Sequence, residues 1–165
     1  LYRLFVFCIA SMIALTIATG SPAYAQEFKV DFGLTNNDAT APIEVQADSL
    51  SVDQDTGNAR FEGNVEITQG VMSFKAPLVE VVYSADQTGI ASLKGSGGVS
   101  IVSGADTAKA ETAEYNVDTG LIYMAGNVAL AQKGSTISAQ RMTVNTNNST
   151  AELHGRVRTV LQPRQ

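Results

Sequence analysis

The chain has 165 residues, with 11 Lys and Arg against 16 Asp and Glu, one His, one Cys, no Trp, and 44% apolar against 16% charged residues. That is one domain with enough apolar chain for a core, and it is not the composition of a disordered protein. The formal charge of −5 excludes a protein that works by neutralising nucleic-acid phosphates, and a lone His and a lone Cys exclude a metal centre built on those ligands.

Arg3 is the only charge before Glu27, and the apolar run from Leu4 to Thr19 ends at Gly20-Ser21-Pro22 and Ala23-Tyr24-Ala25. A charged start, an apolar middle and a small-x-small exit form a secretory signal peptide over residues 1–25, cleaved before Gln26. A membrane anchor fits less well, because the run is shorter than the ~20 residues a spanning helix needs. Cys8 lies inside the signal, so the exported chain has no cysteine and must be held together by burial and backbone pairing. The expected destination is the periplasm. In residues 26–40 the alternation Phe28/Val30/Phe32/Leu34 breaks at Asn36-Asn37-Asp38, which reads either as a flexible leader or as an extra strand.

From residue 41 onward the chain repeats. Ala47-Asp48, Asp55-Thr56-Gly57 and Phe61-Glu62-Gly63-Asn64-Val65 recur as Ala110-Glu111, Asp118-Thr119-Gly120 and Met124-Ala125-Gly126-Asn127-Val128. Weaker copies run from Ala76 to Ile101 and from Ala139 to Thr159. Four units of about thirty residues make a repeat architecture, in which each unit buries its apolar face only by stacking on its neighbours. Within each unit the hydrophobic period is two, which predicts strands with one apolar face. The stretches at 55–58, 87–89, 118–120 and 147–150 carry turn chemistry, and Gly95-Ser96-Gly97-Gly98 reads as a connection between two strands. The expectation is an all-β protein of roughly 14–16 short antiparallel strands with almost no helix.

The polar residues do not assemble into a catalytic set. Asp53-x-Asp55 before Gly57 lacks the later ligands of a calcium loop and reads as a hairpin turn. His154 stands alone in a strand-like segment and reads as an exposed strand histidine. The Glu62/Glu66 and Glu111/Glu114 pairs fall on outward positions and read as surface charge. No enzyme, cofactor or metal is expected.

The ordered set Phe61-x-Gly-Asn-Val-x-Ile-x-Gln-Gly70, the second copy Gly126-Asn127-Val128 and the ending Gly155-Arg-Val-Arg-Thr-Val-Leu-x-Pro163 resembles the OstA-like family of periplasmic lipopolysaccharide-transport bridge proteins (the LptA group). The likeness covers residues 41–165. It implies a V-shaped, open β-jellyroll whose copies join head to tail. Its implied ligand is lipopolysaccharide, held by its lipid A acyl chains. The implied partners are an inner-membrane bridge partner and the periplasmic domain of the outer-membrane translocon. The alternating phase, with the resemblance, assigns the groove to Ile43, Val45, Leu50, Val52, Phe61, Val65, Ile67, Phe74, Val81, Ile101, Tyr115, Val117, Val128, Leu130, Met142 and Val144. For each of these, filling the core is an equal expectation. The assembly edges are expected at Ile43, Glu44 and Val45 and at Val157, Arg158, Thr159, Val160 and Leu161, where an unpaired strand recruits another. Some members of the family carry a long basic tail, whereas this chain is acidic, which points to acyl chains rather than phosphates as what is gripped. Another OstA-like module, or a structural β-repeat protein whose apolar face is only core, remains the alternative.

Overall fold

The computed structural model describes residues 28–32, 41–86 and 88–161. The signal sequence expected over 1–25 lies outside them. Among the described residues, eleven strands run in chain order: β1 (Phe28–Asp31), β2 (Glu44–Gln46), β3 (Ser49–Val52), β4 (Ala59–Gln69), β5 (Met72–Tyr83), β6 (Ile90–Ser103), β7 (Asp106–Asn116), β8 (Leu121–Gln132), β9 (Ser135–Asn145), β10 (Thr150–His154) and β11 (Arg158–Leu161). They form one open antiparallel sheet in the order β1-β10-β9-β8-β7-β6-β5-β4-β2, with β3 also on β4 and β11 also on β9. The all-β reading therefore holds. Strand β1 falls within the segment 26–40, read as leader or extra strand, whose residues 33–40 lie outside the described residues.

The strands are fewer and longer than the 14–16 expected, because several predicted pairs of short strands are one strand crossing a bulge. Met72/Phe74/Ala76 and Val79/Val81/Tyr83 both belong to β5, although Pro77 stands between them. Proline is tolerated there because the ladder is already interrupted between Lys75 and Leu78. Likewise Gly95-Ser96-Gly97-Gly98 is not a connection but lies inside β6.

These bulges line up across the sheet. Gly63-Asn64, Gly97-Gly98, Gly126-Asn127 and Gly155-Arg156 each put two successive residues at positive φ. Glycine and asparagine take that conformation most cheaply, which explains the repeated Gly-Asn. Each pair is faced across the ladder by one residue of the neighbouring strand or loop: Asp48, Pro77, Glu111 and Gln140 in turn. Asn64 Nδ2 donates to Asp48 Oδ2 at 2.8 Å, and Asn127 Nδ2 donates to Glu111 Oε1 at 2.6 Å. The sequence repeat is thus a repeat of bulges. A bulge bends its strand, and a row of them folds the sheet along one line into two facing halves.

The two halves meet through their apolar faces. Phe74, on one side of the bulge line, reaches the space left open at Gly95 on the other side. Between the halves sit the most deeply buried side chains, among them Ile101, Ile122, Met124, Leu130, Met142 and Leu153. The turns after β3, β5, β7 and β9 fall where turn chemistry was expected, whereas those at Gly70-Val71, Gly104-Ala105 and Lys133-Gly134 were not foreseen. In the first, Asp53 Oδ1 accepts from the Thr56 N–H at 2.8 Å and the Asp55 N–H at 3.0 Å.

Candidate functional site

The inner face is built from rows of side chains that cross the sheet from edge to edge. In one half the row runs Val45, Ile67, Phe74, Ile101, Ala108, Leu130, Ile137 and Thr159, each directly opposite the next. In the other half it runs Val52, Ala59, Val81, Leu93, Tyr115, Ile122, Val144, Ala151 and Val30. A third row runs Leu50, Phe61, Val79, Gly95, Ala113, Met124, Met142 and Leu153. Period-two alternation and cross-strand register together make these rows continuous.

The predicted groove residues divide by position along the rows. Val65, Ile67, Phe74, Val81, Ile101, Tyr115, Val128, Leu130, Met142 and Val144 are buried in the core. Ile43, Val45, Phe61 and Val117 are half-buried and pack against it. Leu50 and Val52 share the inner phase with Phe61 and Ala59, yet are 56% and 58% exposed because β3 is the last strand of its half. The interior is closely filled. An apolar cleft of about 20 Å³ lies within it, lined by Ile43, Ile67, Gln69, Met72, Phe74, Leu93, Tyr115 and Ile122, drawn from both halves. That is room for about one water molecule.

The groove set omitted Val79, although it lies on the predicted apolar phase, and sequence reasoning missed Leu93, Ile122, Met124 and Leu153; all five are buried. Leu121-Ile122-Tyr123-Met124 is a continuous apolar run without a readable phase. The pairing of Tyr115 with Ile122 settles it: Ile122 and Met124 turn inward, and Tyr123 is left 49% exposed. The missed signal at Leu93 was its spacing from Tyr115, which the antiparallel register places opposite it.

A much wider concavity, about 690 Å³, lies on the outer face and is lined by Glu80, Lys94, Glu114, Tyr123, Arg141 and His154 among others. Its lining mixes these charged and polar side chains with Ala113, Met124, Ala125 and Met142. The outward row alternates in charge from Arg60 through Glu80 and Lys94 to Glu114, then passes Tyr123 and Thr143 to Glu152 and Lys29. Arg60 pairs with Glu80 at 3.4 Å and Lys94 with Glu114 at 3.5 Å. Lys29 pairs with Glu152 at 2.8 Å. The hydrogen bond from Lys29 holds the Glu152 carboxyl below its usual range, and the one from Lys75, with a second from Ser73, does the same for Glu66. His154 is half-buried at the end of β10 and faces this outer concavity.

The predicted edge segments are both at sheet margins. Glu44 and Val45 lie in β2, which pairs only with β4, and Ile43 directly precedes it. Arg158, Thr159, Val160 and Leu161 form β11, which among the described residues pairs only with β9; Val157 leads into it. Leu161 is 72% exposed.

The family model described as "LptA/(LptD N-terminal domain) LPS transport protein" matches residues 44–150, more than half of the chain. An uncharacterised protein of Rhizobium meliloti (strain 1021) is 26% identical over 166 residues, covering 94% of this chain and 88% of its own. The crystal structure of LptH, the LptA-homologous periplasmic component of the lipopolysaccharide transport device of Pseudomonas aeruginosa, superposes with a TM-score of 0.66. It is 22% identical and covers 77% of this chain and 99% of its own.

Proposed function

Because the chain belongs to the LptA and LptD N-terminal-domain family of lipopolysaccharide transport proteins, we propose that it is the periplasmic carrier that shelters lipid A acyl chains on their way from the inner-membrane extraction complex to the outer-membrane translocon. Proteins of this family are transport bridges, not enzymes. The observation that carries the reading is the continuity of the inner apolar rows, which run without a polar break from the β2–β3 margin across β4 to β9.

An acyl chain of a dozen carbons keeps away from water by about 10 kcal/mol, at about 0.8 kcal/mol per methylene. A carrier must match that with apolar surface and needs no catalyst. The cleft of about 20 Å³ is far too small for such a chain, so loading parts the two halves about the bulge line. The methylenes then take over the contacts that the halves make with each other when empty. Entry falls to the inner-face side chains that the core does not seal: Ile43, Val45, Leu50, Val52 and Phe61. The lining is apolar and free of charge, so it holds a chain without fixing it at one place, which suits cargo in transit.

In this reading Ile43, Glu44 and Val45 of one copy join Val157 to Leu161 of the next. Such a contact between two different surfaces does not close on itself and grows into an array. The signal sequence over residues 1–25 directs the chain to the periplasm and is removed there.

A photo-crosslinking residue tests the lining. Placed at Ile43 or Tyr115 in cells, it is expected to give lipopolysaccharide adducts, and at the outward Glu66 it is expected to give none. Adducts confined to Glu66 would overturn the inner-face assignment.

A further inference from the structure

The inner apolar row of Ile67, Phe74, Ile101, Ala108, Leu130 and Ile137 stops one step short of the hairpin turns that join β4 to β5, β6 to β7 and β8 to β9. Two residues nearer those turns, and so on the same inward phase, stand Gln69, Met72, Ser103, Asp106, Gln132 and Ser135. Gln69 lies opposite Met72, Met72 opposite Ser103, Ser103 opposite Asp106, and Gln132 opposite Ser135. Gln132 Nε2 donates to Asp106 Oδ2 at 2.7 Å and closes the remaining step. A polar row interrupted only by Met72 thus crosses from β4 to β9, about 24 Å at ~4.8 Å per strand.

This row is not surface. Among the described residues, the buried polar side chains are Gln69, Ser103 and Asp106, at 8%, 0% and 5% exposed. Burying a polar group costs free energy unless it is hydrogen-bonded, and an apolar residue would have continued the row without that cost. The place is also particular. The halves are joined along the bulge line, so they part at the side farthest from it, which is the side of these turns. Gln69 and Met72 line the cleft between the halves together with Leu93, Tyr115 and Ile122 of the other half. At the turn side of that other half Ile90 and Val117 are apolar and packed on the core. One rim of the opening is therefore polar and the other apolar.

We propose that the polar rim is the selectivity element of the groove: Asp106, flanked by Gln132, Ser103 and Gln69, hydrogen-bonds the polar end of acyl chains whose methylenes lie on the apolar rows. This rests on the lipid-carrying reading above. Apolar rows alone treat every lipid with chains of equal length alike, because methylenes are all they contact. A site that hydrogen-bonds its ligand rejects one lacking the matching donor far more strongly than an apolar wall rejects a missing methylene. Asp106 brings acceptor oxygens, and carboxyl and carboxamide oxygens each accept more than one hydrogen bond, so the rim takes an incoming donor while keeping its present bonds. The ligand class that answers this is an acylated amino sugar, the chemistry of lipid A, which offers amide N–H and hydroxyl donors where its chains begin. A glycerophospholipid joins its chains through esters, which offer acceptors only, and leaves the Asp106 oxygens unanswered.

The test compares two anionic lipids, so that charge does not decide the result. Immobilised protein is incubated with radiolabelled lipid A or radiolabelled phosphatidylglycerol of equal acyl length in the same detergent, and the retained lipid is counted. The unsubstituted protein is expected to prefer lipid A, and Asp106→Asn, which keeps the shape but replaces an acceptor with a donor, is expected to cut that preference about tenfold, the worth of one hydrogen bond to a charged group. Should Asp106→Asn lose its strand signal in circular dichroism, Gln132→Met, which removes the neighbouring amide from a half-buried position, decides in its place with the same expected loss. Retention of both lipids without preference for lipid A, or a preference unchanged in the folded variant, would overturn the selectivity role while leaving lipid carriage intact. Retention of neither lipid would remove the carriage and the rim's role with it.

Discussion

Gly95 offers a direct measurement of how the two halves of the sheet close on each other. Its backbone lies in the ordinary extended region, so the cost of adding a methyl group is steric alone. A Cβ at that position would lie 2.5 Å from Phe74 Cζ, 2.8 Å from Phe74 Cε1 and 3.1 Å from Val99 Cγ2. Carbon atoms settle at roughly 3.5–4.0 Å, so the Phe74 ring must retreat by about 1 Å. Phe74 is only 6% exposed and packed on all sides, which places the change among overpacking substitutions costing ~1–3 kcal/mol. We expect about 2 kcal/mol for Gly95→Ala. Phe74→Leu removes the outer ring atoms and costs about 1–1.5 kcal/mol by lost burial. The atoms that clash are the atoms that Phe74→Leu removes, so the double variant should be no less stable than Phe74→Leu by more than a few tenths of a kcal/mol. The coupling is then about 2 kcal/mol. Urea unfolding followed by circular dichroism measures it, since 2 kcal/mol moves the midpoint by about 1 M for a slope of ~2 kcal/mol per molar. If the two substitutions add within ~0.5 kcal/mol, Phe74 does not occupy the Gly95 space and the facing of the halves described above is wrong.

Two further outcomes follow from the bulge line and the charge ladder. Gly126 has φ of +82 and its missing Cβ would run into the Glu111 side chain. Gly126→Ala should therefore lower stability by about 1–3 kcal/mol through combined strain and overpacking, while Gly89→Ala, with nothing within 4 Å, should stay within ~0.5 kcal/mol; equal thermal midpoints for the two would refute the role of the bulge. The Glu66 and Glu152 carboxyls are held below their ordinary value of 4.5 by Lys75 and Lys29. A depressed folded-state pKa means that their contribution is present above about pH 4.5, the unfolded value, and is lost as the pH falls through the folded value. Amide hydrogen exchange in β1 should accordingly accelerate relative to β6 below that range, and Lys29→Met should abolish the difference. An unchanged ratio down to full protonation would show that the Lys29–Glu152 pair does not hold β1.

The alternation of apolar residues was legible in the chain because a strand with one wet face writes a period of two into it. Val65/Ile67, Val128/Leu130 and Met142/Val144 all point where that period puts them. Strand length was less legible. Gly97-Gly98 and Pro77 look like strand ends, and only the neighbouring strands, which keep pairing on both sides, make them interruptions within β6 and β5. The repeat was visible as residues, yet its meaning was not: Gly63-Asn64 and Gly126-Asn127 are weak marks in sequence and become a fold line only when aligned across the sheet. At the site, Leu50 and Val52 carry the same apolar identity as the buried members of their rows, and their exposure comes from standing at the last strand.

What the amino-acid order determined by itself was the class of structure and its polarity: an all-β strand repeat with one apolar face. These are local properties, set by residue type and spacing along the chain. What the tertiary structure decided was which neighbours each strand has. That settled the inward turn of Ile122, the facing of Phe74 and Gly95 across the fold line, and the seat of β1 on β10 far from β2. Those depend on contacts between residues distant in sequence, whose free energy is realised only when the whole sheet is assembled.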